Sequence, residues 1–238
     1  MSVVGFAERI LVVTAHPDDV DFGVSGSVAR WSDDGAEVAY CIVTDGEAGG
    51  SDDSIPRVEM ARIRRAEQTA AAKVVGVTDL TFLGYPDGRL ESTIELRRDI
   101  TRVIRQFRPN RVVSQSPDRN YRRMYASHPD HLAVGDSTLA AVYPDARNPF
   151  AHPDLLTAGL EPWTVPEVLI MTAADPEVFV DITGTIERKL NALHCHVSQM
   201  TDPDGLDVLV RDWGAMVARA GGLADGRLAE GFMRVDTQ

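Results

Sequence analysis

Short, continuously apolar runs alternate along this chain with longer stretches in which apolar residues recur at helical spacing. Residues 9–15 contain Ile10-Leu11-Val12-Val13 and predict a buried strand; residues 24–31 predict the helix behind it, ending near Gly35. A second apolar run at 38–44 is followed by helical spacing over 57–75, closed at Gly76. Residues 80–83 predict a short strand leading into the turn Gly84-Tyr85-Pro86-Asp87-Gly88. Over 94–107, Ile94, Ile100, Val103, Ile104 and Phe107 share one helical face, and Pro109 stops the helix. Residues 111–116 make a fourth strand. This order predicts an α/β fold, Rossmann-like, with a mostly parallel sheet and helices on both faces.

Further along, the pattern predicts a helix at 130–143, strands at 167–172 and 178–182, and a long helix at 185–199. The stretch 143–166 is rich in Pro, Asp and Asn and reads as a long surface loop of the kind that shapes substrate access. No repeat, low-complexity tract or linker divides the 238 residues, so a single domain spanning 1–238 is expected.

In sheets of this kind, ligands bind outside the carboxyl ends of the strands. The loops expected there carry His16-Pro17-Asp18-Asp19, Thr44-Asp45-Gly46-Glu47, Pro86-Asp87 and the region 117–131, which ends in His128-Pro129-Asp130-His131. Each His-Pro-Asp tetrad places metal-capable side chains three residues apart, and its proline favours a turn. Two such turns side by side would make a mixed His/Asp zinc centre with an open water position and a spare carboxylate. On this reading His16, Asp19 and His131 are the ligands, with His128 the alternative to His131, and Asp18 is the general base. His128 faces the site as a cation, to stabilise an oxyanion or protonate a leaving amine, and Asp130 fixes its tautomer. The plainer alternative makes Asp18, Asp19 and Asp130 helix caps. His152-Pro153-Asp154 follows no buried strand and reads as an ordinary capped turn.

The formal charge of -12 argues against a nucleic-acid partner and against docking on an anionic membrane. Two cysteines are too few for a disulfide framework; Cys41 reads as a small buried hydrophobe. Cys195 lies between His194 and His196, but adjacent helical positions diverge by about 100° and cannot chelate together. No basic-then-apolar leader and no apolar stretch approaching about 18 residues is present, so a soluble cytoplasmic protein is expected. The first turn lacks G-x-G-x-x-G, which gives a nicotinamide or flavin no support.

Taken together, the blocks Ala15-His16-Pro17-Asp18-Asp19, Thr44-Asp45-Gly46-Glu47, Arg64-x-x-Glu67, Tyr85-Pro86-Asp87-Gly88, His128-Pro129-Asp130-His131 and His196-x-Ser198-Gln199 resemble the zinc-dependent N-acetylglucosaminyl de-N-acetylases of the PIG-L/LmbE type. The resemblance covers most of the chain. It implies Zn²⁺ on His16, Asp19 and His131, Asp18 as base, and His128 as oxyanion and leaving-group partner supported by Asp130. It further implies Arg64 and Asp87 as contacts to a sugar substrate. The implied partner is an amino-sugar or glycoconjugate small molecule; Fe²⁺ or Co²⁺ suits the same ligands, and the acidic charge leaves a homo-oligomer open. Rival readings are a same-fold amidase acting on a thiol conjugate or antibiotic intermediate, and a sugar-binding protein with a structural metal. The chain departs from mycothiol-pathway members in reading Val20-Asp21-Phe22-Gly23 after the first tetrad. It also has Ala126, not Tyr, two residues before the second, with Tyr125 one further back.

Overall fold

The computed structural model describes residues 8–50, 52–121, 124 and 127–237. Seven strands form one sheet: β1 (Arg9–Thr14), β2 (Glu37–Thr44), β3 (Asp79–Tyr85), β4 (Arg111–Gln115), β5 (Glu167–Met171), β6 (Val178–Asp181) and β7 (Ala229–Asp236). Their order is β3-β2-β1-β4-β5-β7-β6. The first five run parallel, whereas β7 is antiparallel to both β5 and β6. The chain therefore builds outward from β1 to β3, returns to lay β4 on the other flank of β1, and continues outward. A crevice opens at that reversal, beyond the carboxyl ends of β1 and β4.

The helices are α1 (Asp19–Gly23), α2 (Ser25–Asp33), α3 (Arg57–Val74), α4 (Ile94–Phe107), α5 (Pro129–Ala140), α6 (Pro153–Thr157), α7 (Ile186–Leu193) and α8 (Pro203–Ala220). Alternation along β1 divides the core between two faces. Leu11 and Val13 pack beneath α4 and α5 with Leu96, Ile100, Ile104 and Val134. Ile10 and Val12 pack beneath α2 and α3 with Val28, Ala71 and Ala72. A strand covered on both faces needs no polar side, and that is why β1 reads as a continuous apolar run. Among the described residues, no helix is long and apolar enough to cross a membrane.

Several elements differ from the sequence expectation. The first helix begins early, as α1, and breaks at Val24 before α2. The helix expected at 130–143 ends at Ala140 in a π-helical turn, Ala141–Asp145, where Pro144 has no N–H to give and Tyr143 leaves helical geometry. The helix expected at 185–199 stops at Leu193. Downstream, His196 turns inward to Asp21 and Ser198 to Glu67, so tertiary bonds override the helical period.

The segment 143–166 is more than a loop. It contains α6 and is strapped along α4 by ion pairs of Arg97 with Asp145 and Arg98 with Asp154. Buried Arg105 donates to the carbonyls of Asp145, Ala146 and Asn148. Trp163 Nε1 donates to Pro109 O, just ahead of β4 and at the opposite end of that strand from the crevice.

Beyond the last expected element lie α8 and β7. β7 is anchored by a buried ion pair, Lys189 Nζ to Glu230 Oε1 at 2.6 Å. Glu230 also accepts the Gly26 and Ser27 N–H groups of the first turn of α2, where a negative charge is favoured.

Candidate metal centre

The two histidine turns leave the sheet from neighbouring strands. Gln115 Oε1, at the end of β4, accepts the Ala15 N–H at 2.9 Å and ties the two strand exits together. After β1 the chain folds back on itself, with His16 N–H donating to Asp19 Oδ2 at 2.7 Å. After β4, His128 caps α5 with Pro129 at its first position, and the first turn of the helix carries His131 inward. Gly135, four residues on, lets α5 lie close to the strand exit. A Cβ there would stand 2.6 Å from both Gln115 O and Pro117 N.

The structure brings His16, Asp19 and His131 together. His16 Nδ1 is 3.3 Å from Asp19 Oδ2 and 3.3 Å from His131 Nε2, and His131 Nε2 is 3.0 Å from Asp19 Oδ1. Donors held at about 2.0–2.1 Å by a tetrahedral ion stand about 3.3–3.4 Å apart, so these residues fit a single metal ion. The other ring nitrogen of His16 fits the same use. Nε2 lies 3.1 Å from Asp130 Oδ2 and 3.0 Å from Asp87 Oδ1. Donation of its proton to those carboxylates leaves the Nδ1 lone pair facing the ion. Burial opposes charge on His16, but Asp19, Asp130 and Asp87 outweigh it and push the ring up to about 12. The surrounding carboxylates thus favour positive charge here, which a divalent cation would supply in place of the ring proton. Burial also opposes charge on Asp19, yet His131 and His16 hold its carboxyl well below the usual range.

Four residues singled out in the sequence have partners that the sequence did not show. The Asp130 carboxylate bonds His16 directly and acts on His128 through its charge. Fully buried, it also accepts the Gly88 N–H at 2.7 Å and the Leu90 N–H at 3.2 Å, and Asp130 bonds His128 only through its backbone, whose N–H donates to His128 Nδ1 at 3.2 Å. That bond puts the proton of a neutral His128 on Nε2. Burial, with His16 close by, holds the ring below its usual value, which favours the neutral form over the cation expected from the sequence. Asp87 and Arg64, expected on a sugar, both point inward. Asp87 pairs with His16 and accepts the Ala48 N–H, while Glu47 Oε1 accepts the Asp87 N–H. Arg64, 4% exposed, donates to Gly46 O, Pro17 O and Asp18 Oδ2.

Asp18 lies beside the triad in the left-handed backbone region, at φ 92° and ψ -28°. Non-glycine residues adopt it only where the surroundings compensate, often at functional sites. Its side chain is 19% exposed and 3.0 Å from Arg64 Nη2. Burial raises its pKa to about 6 against the opposing pull of Arg64. Gln115 escaped the sequence reading, as did Gln68, which accepts the Asp18 N–H. Only Gln68 carried a signal, four residues after Arg64 on one face of α3. Tyr125 and Ala126 lie outside the described residues.

A parallel α/β sheet with a His/Asp/His group able to hold a metal ion at its switch point, and a spare carboxylate beside it, defines a class: α/β proteins with a metal centre of hydrolytic type. The chain belongs to the PIG-L family, whose description, GlcNAc-PI de-N-acetylase, matches residues 11–142. A diacetylchitobiose deacetylase from Thermococcus kodakarensis is 33% identical over 195 residues, which cover 82% of this chain and 71% of that one. A probable N-acetyl-alpha-D-glucosaminyl L-malate deacetylase from Bacillus anthracis is 29% identical over 198 residues, covering 80% and 81%. The solved N,N'-diacetylchitobiose deacetylase from Pyrococcus horikoshii, in complex with an inhibitor, superposes with a TM-score of 0.89 at 31% identity. That match covers 97% of this chain and 84% of the other.

Proposed function

We propose that this protein is a metal-dependent N-deacetylase that hydrolyses the acetamide of an N-acetylglucosaminyl compound, with Zn²⁺ as its resident ion. The observation that carries the reading is the approach of His16 Nδ1 and His131 Nε2 to the Asp19 carboxylate, with Asp18 beside that triad and still partly exposed. Two nitrogens and one carboxylate are a common zinc set that leaves a position for water or substrate. Family membership supports the amide as the bond broken. The two relatives named for diacetylchitobiose and for the malate conjugate share an N-acetylated glucosamine and differ in what it is attached to.

An ion on this triad supplies Lewis acidity, polarising the acetamide carbonyl and making an attacking water acidic near neutral pH. Asp18 takes the proton of that water as its oxygen bonds to the carbonyl carbon. Arg64 holds the Asp18 carboxylate in place for the transfer. His128, with Nδ1 engaged by the Asp130 N–H, turns its Nε2–H toward the developing oxyanion. Asp18 returns the proton to the departing nitrogen as the C–N bond breaks, releasing acetate and a free amine.

The test is a panel of N-acetylglucosaminyl glycosides and thiol conjugates, incubated with metal-reconstituted protein and assayed for acetate and free amine. Equal amounts of both from an N-acetylglucosaminyl compound are expected. Amine release from thiol conjugates without acetate would replace deacetylation by amidase action, and no release from any probe would remove the hydrolytic reading.

A further inference from the structure

One face of α3 grips the peptide unit between Pro17 and Asp18 at both ends. Arg64 donates from Nη2 to Pro17 O, and one turn later Gln68 Oε1 accepts the Asp18 N–H at 2.8 Å. Positions four apart stack along a helix, so the two side chains reach the same unit. That unit leads into the left-handed backbone of Asp18, a conformation that must be held from outside.

Gln68 is itself held. Its Nε2 donates to Asp21 Oδ2 at 3.0 Å, and the same oxygen lies 2.8 Å from His196 Nε2. All three side chains are buried. Burial disfavours charge on His196, but the Asp21 bond outweighs it and raises the ring above its usual value. A carboxylate can only accept, so Asp21 compels Gln68 to present its NH₂ group and thereby turns the Gln68 carbonyl toward Asp18. His196, on the turn after α7, fills the remaining approach to that oxygen. None of the three touches the His16, Asp19 and His131 group.

Building on the reading of Asp18 as base, we infer that His196, Asp21 and Gln68 form a positioning chain that sets the Asp18 backbone and hence the aim of its carboxylate. They are positioning residues, and their loss should act on the chemical step more than on metal or substrate binding.

The test compares parent with Gln68→Met, which keeps side-chain length and removes both bonds, and with His196→Leu and His196→Gln. At full metal loading, Gln68→Met should lose kcat by about ten- to a hundredfold, as expected of a misaligned catalytic group. Its KM should stay within about threefold. Hydrogen exchange at the Asp18 amide, followed by NMR, should quicken by at least about tenfold as its acceptor disappears. His196→Leu should shift both readouts the same way, and His196→Gln, which retains a donor for Asp21, should recover them. A kcat within about twofold of parent, or unchanged Asp18 amide protection, overturns the inference. So does loss of bound metal in step with kcat, which would make the cluster merely structural. If Gln68→Met does not fold, the His196 pair decides on the same readouts. A parent that releases no amine from any probe defeats the proposed function alone, since Asp18 amide exchange still reports on the chain of bonds.

Discussion

His131 Nε2 stands 3.3 Å from His16 Nδ1 although 115 residues separate them in the chain. The approach depends on β4 pairing directly with β1, which sets the two strand exits side by side. It depends also on Gly135, which lets α5 settle against the exit of β4. Asp19 closes the group by facing one carboxylate oxygen to each ring.

Replacing His131 by Ala should weaken metal binding by more than about a hundredfold, beyond the loss typical of a supporting residue. Metal analysis of dialysed protein, with calorimetric titration, checks this. A variant still holding one tightly bound ion would take His131 out of the ligand set.

Asp18→Asn should keep its metal, because Asp18 makes no contact with His16 Nδ1 or His131 Nε2 among the described bonds. Its kcat should fall by about a hundred- to ten-thousandfold, the range for a lost general base. Steady-state kinetics at measured metal occupancy is the check, and near-parent turnover would end the assignment.

Asp130→Asn separates the two accounts of this residue. Support of His16 Nε2 predicts about ten- to a hundredfold weaker metal binding, with turnover per bound ion close to parent. Support of His128 by the carboxylate would leave metal binding intact and lower turnover instead.

Gly135→Ala should destabilise the fold by roughly 1–3 kcal/mol, because its Cβ meets backbone that cannot move aside cheaply. Metal affinity should fall with it, since α5 carries His131. Thermal melting and metal titration of the same preparation test both; an unchanged Tm would mean that α5 and the strand exit yield easily.

His196 provides a pH signature. Asp21 and its neighbours hold this histidine above 6.5 in the folded protein despite burial. A raised folded pKa gives stabilisation that is complete below the unfolded value and disappears as pH climbs through the folded one. Relative to His196→Gln, the parent's stability advantage should therefore be full below the ordinary histidine value of 6.5 and shrink as pH rises above it. Parallel denaturant titrations of the two metal-loaded proteins measure it, and a pH-independent difference would show that His196 carries no charge.

Much of the architecture was legible because it rests on local pattern. Ile10 to Val13 is apolar on both faces, α4 has a clean inward stripe, the first tetrad falls where β1 ends and the second where α5 begins. Legibility failed where distant contacts decide. α8 buries only Val210, Gly214 and Ala218, a narrow stripe of mostly small residues that gives periodicity little to register. β7 hides a buried charge, Glu230, whose partner Lys189 lies on α7. The three-residue spacing of the tetrads was enough to suggest which groups could converge. The partners of Asp130 were not readable, because nothing near it in sequence indicates that Gly88, Leu90 and His16 will surround it. For the same reason the sequence did not show that the buried guanidinium of Arg64, expected as a sugar contact, also bonds the Pro17–Asp18 turn and Gly46.

The decisive measurement is a titration of chelator-stripped protein with Zn²⁺, following acetate release from an N-acetylglucosaminyl substrate and bound ion in the same samples. Activity should be absent without metal, rise linearly, and level off at one ion per chain, and His131→Ala should stay flat over the same range. Full hydrolysis by the stripped protein, or a His131→Ala curve matching the parent's, would contradict a reaction centred on one ion between the two histidine turns.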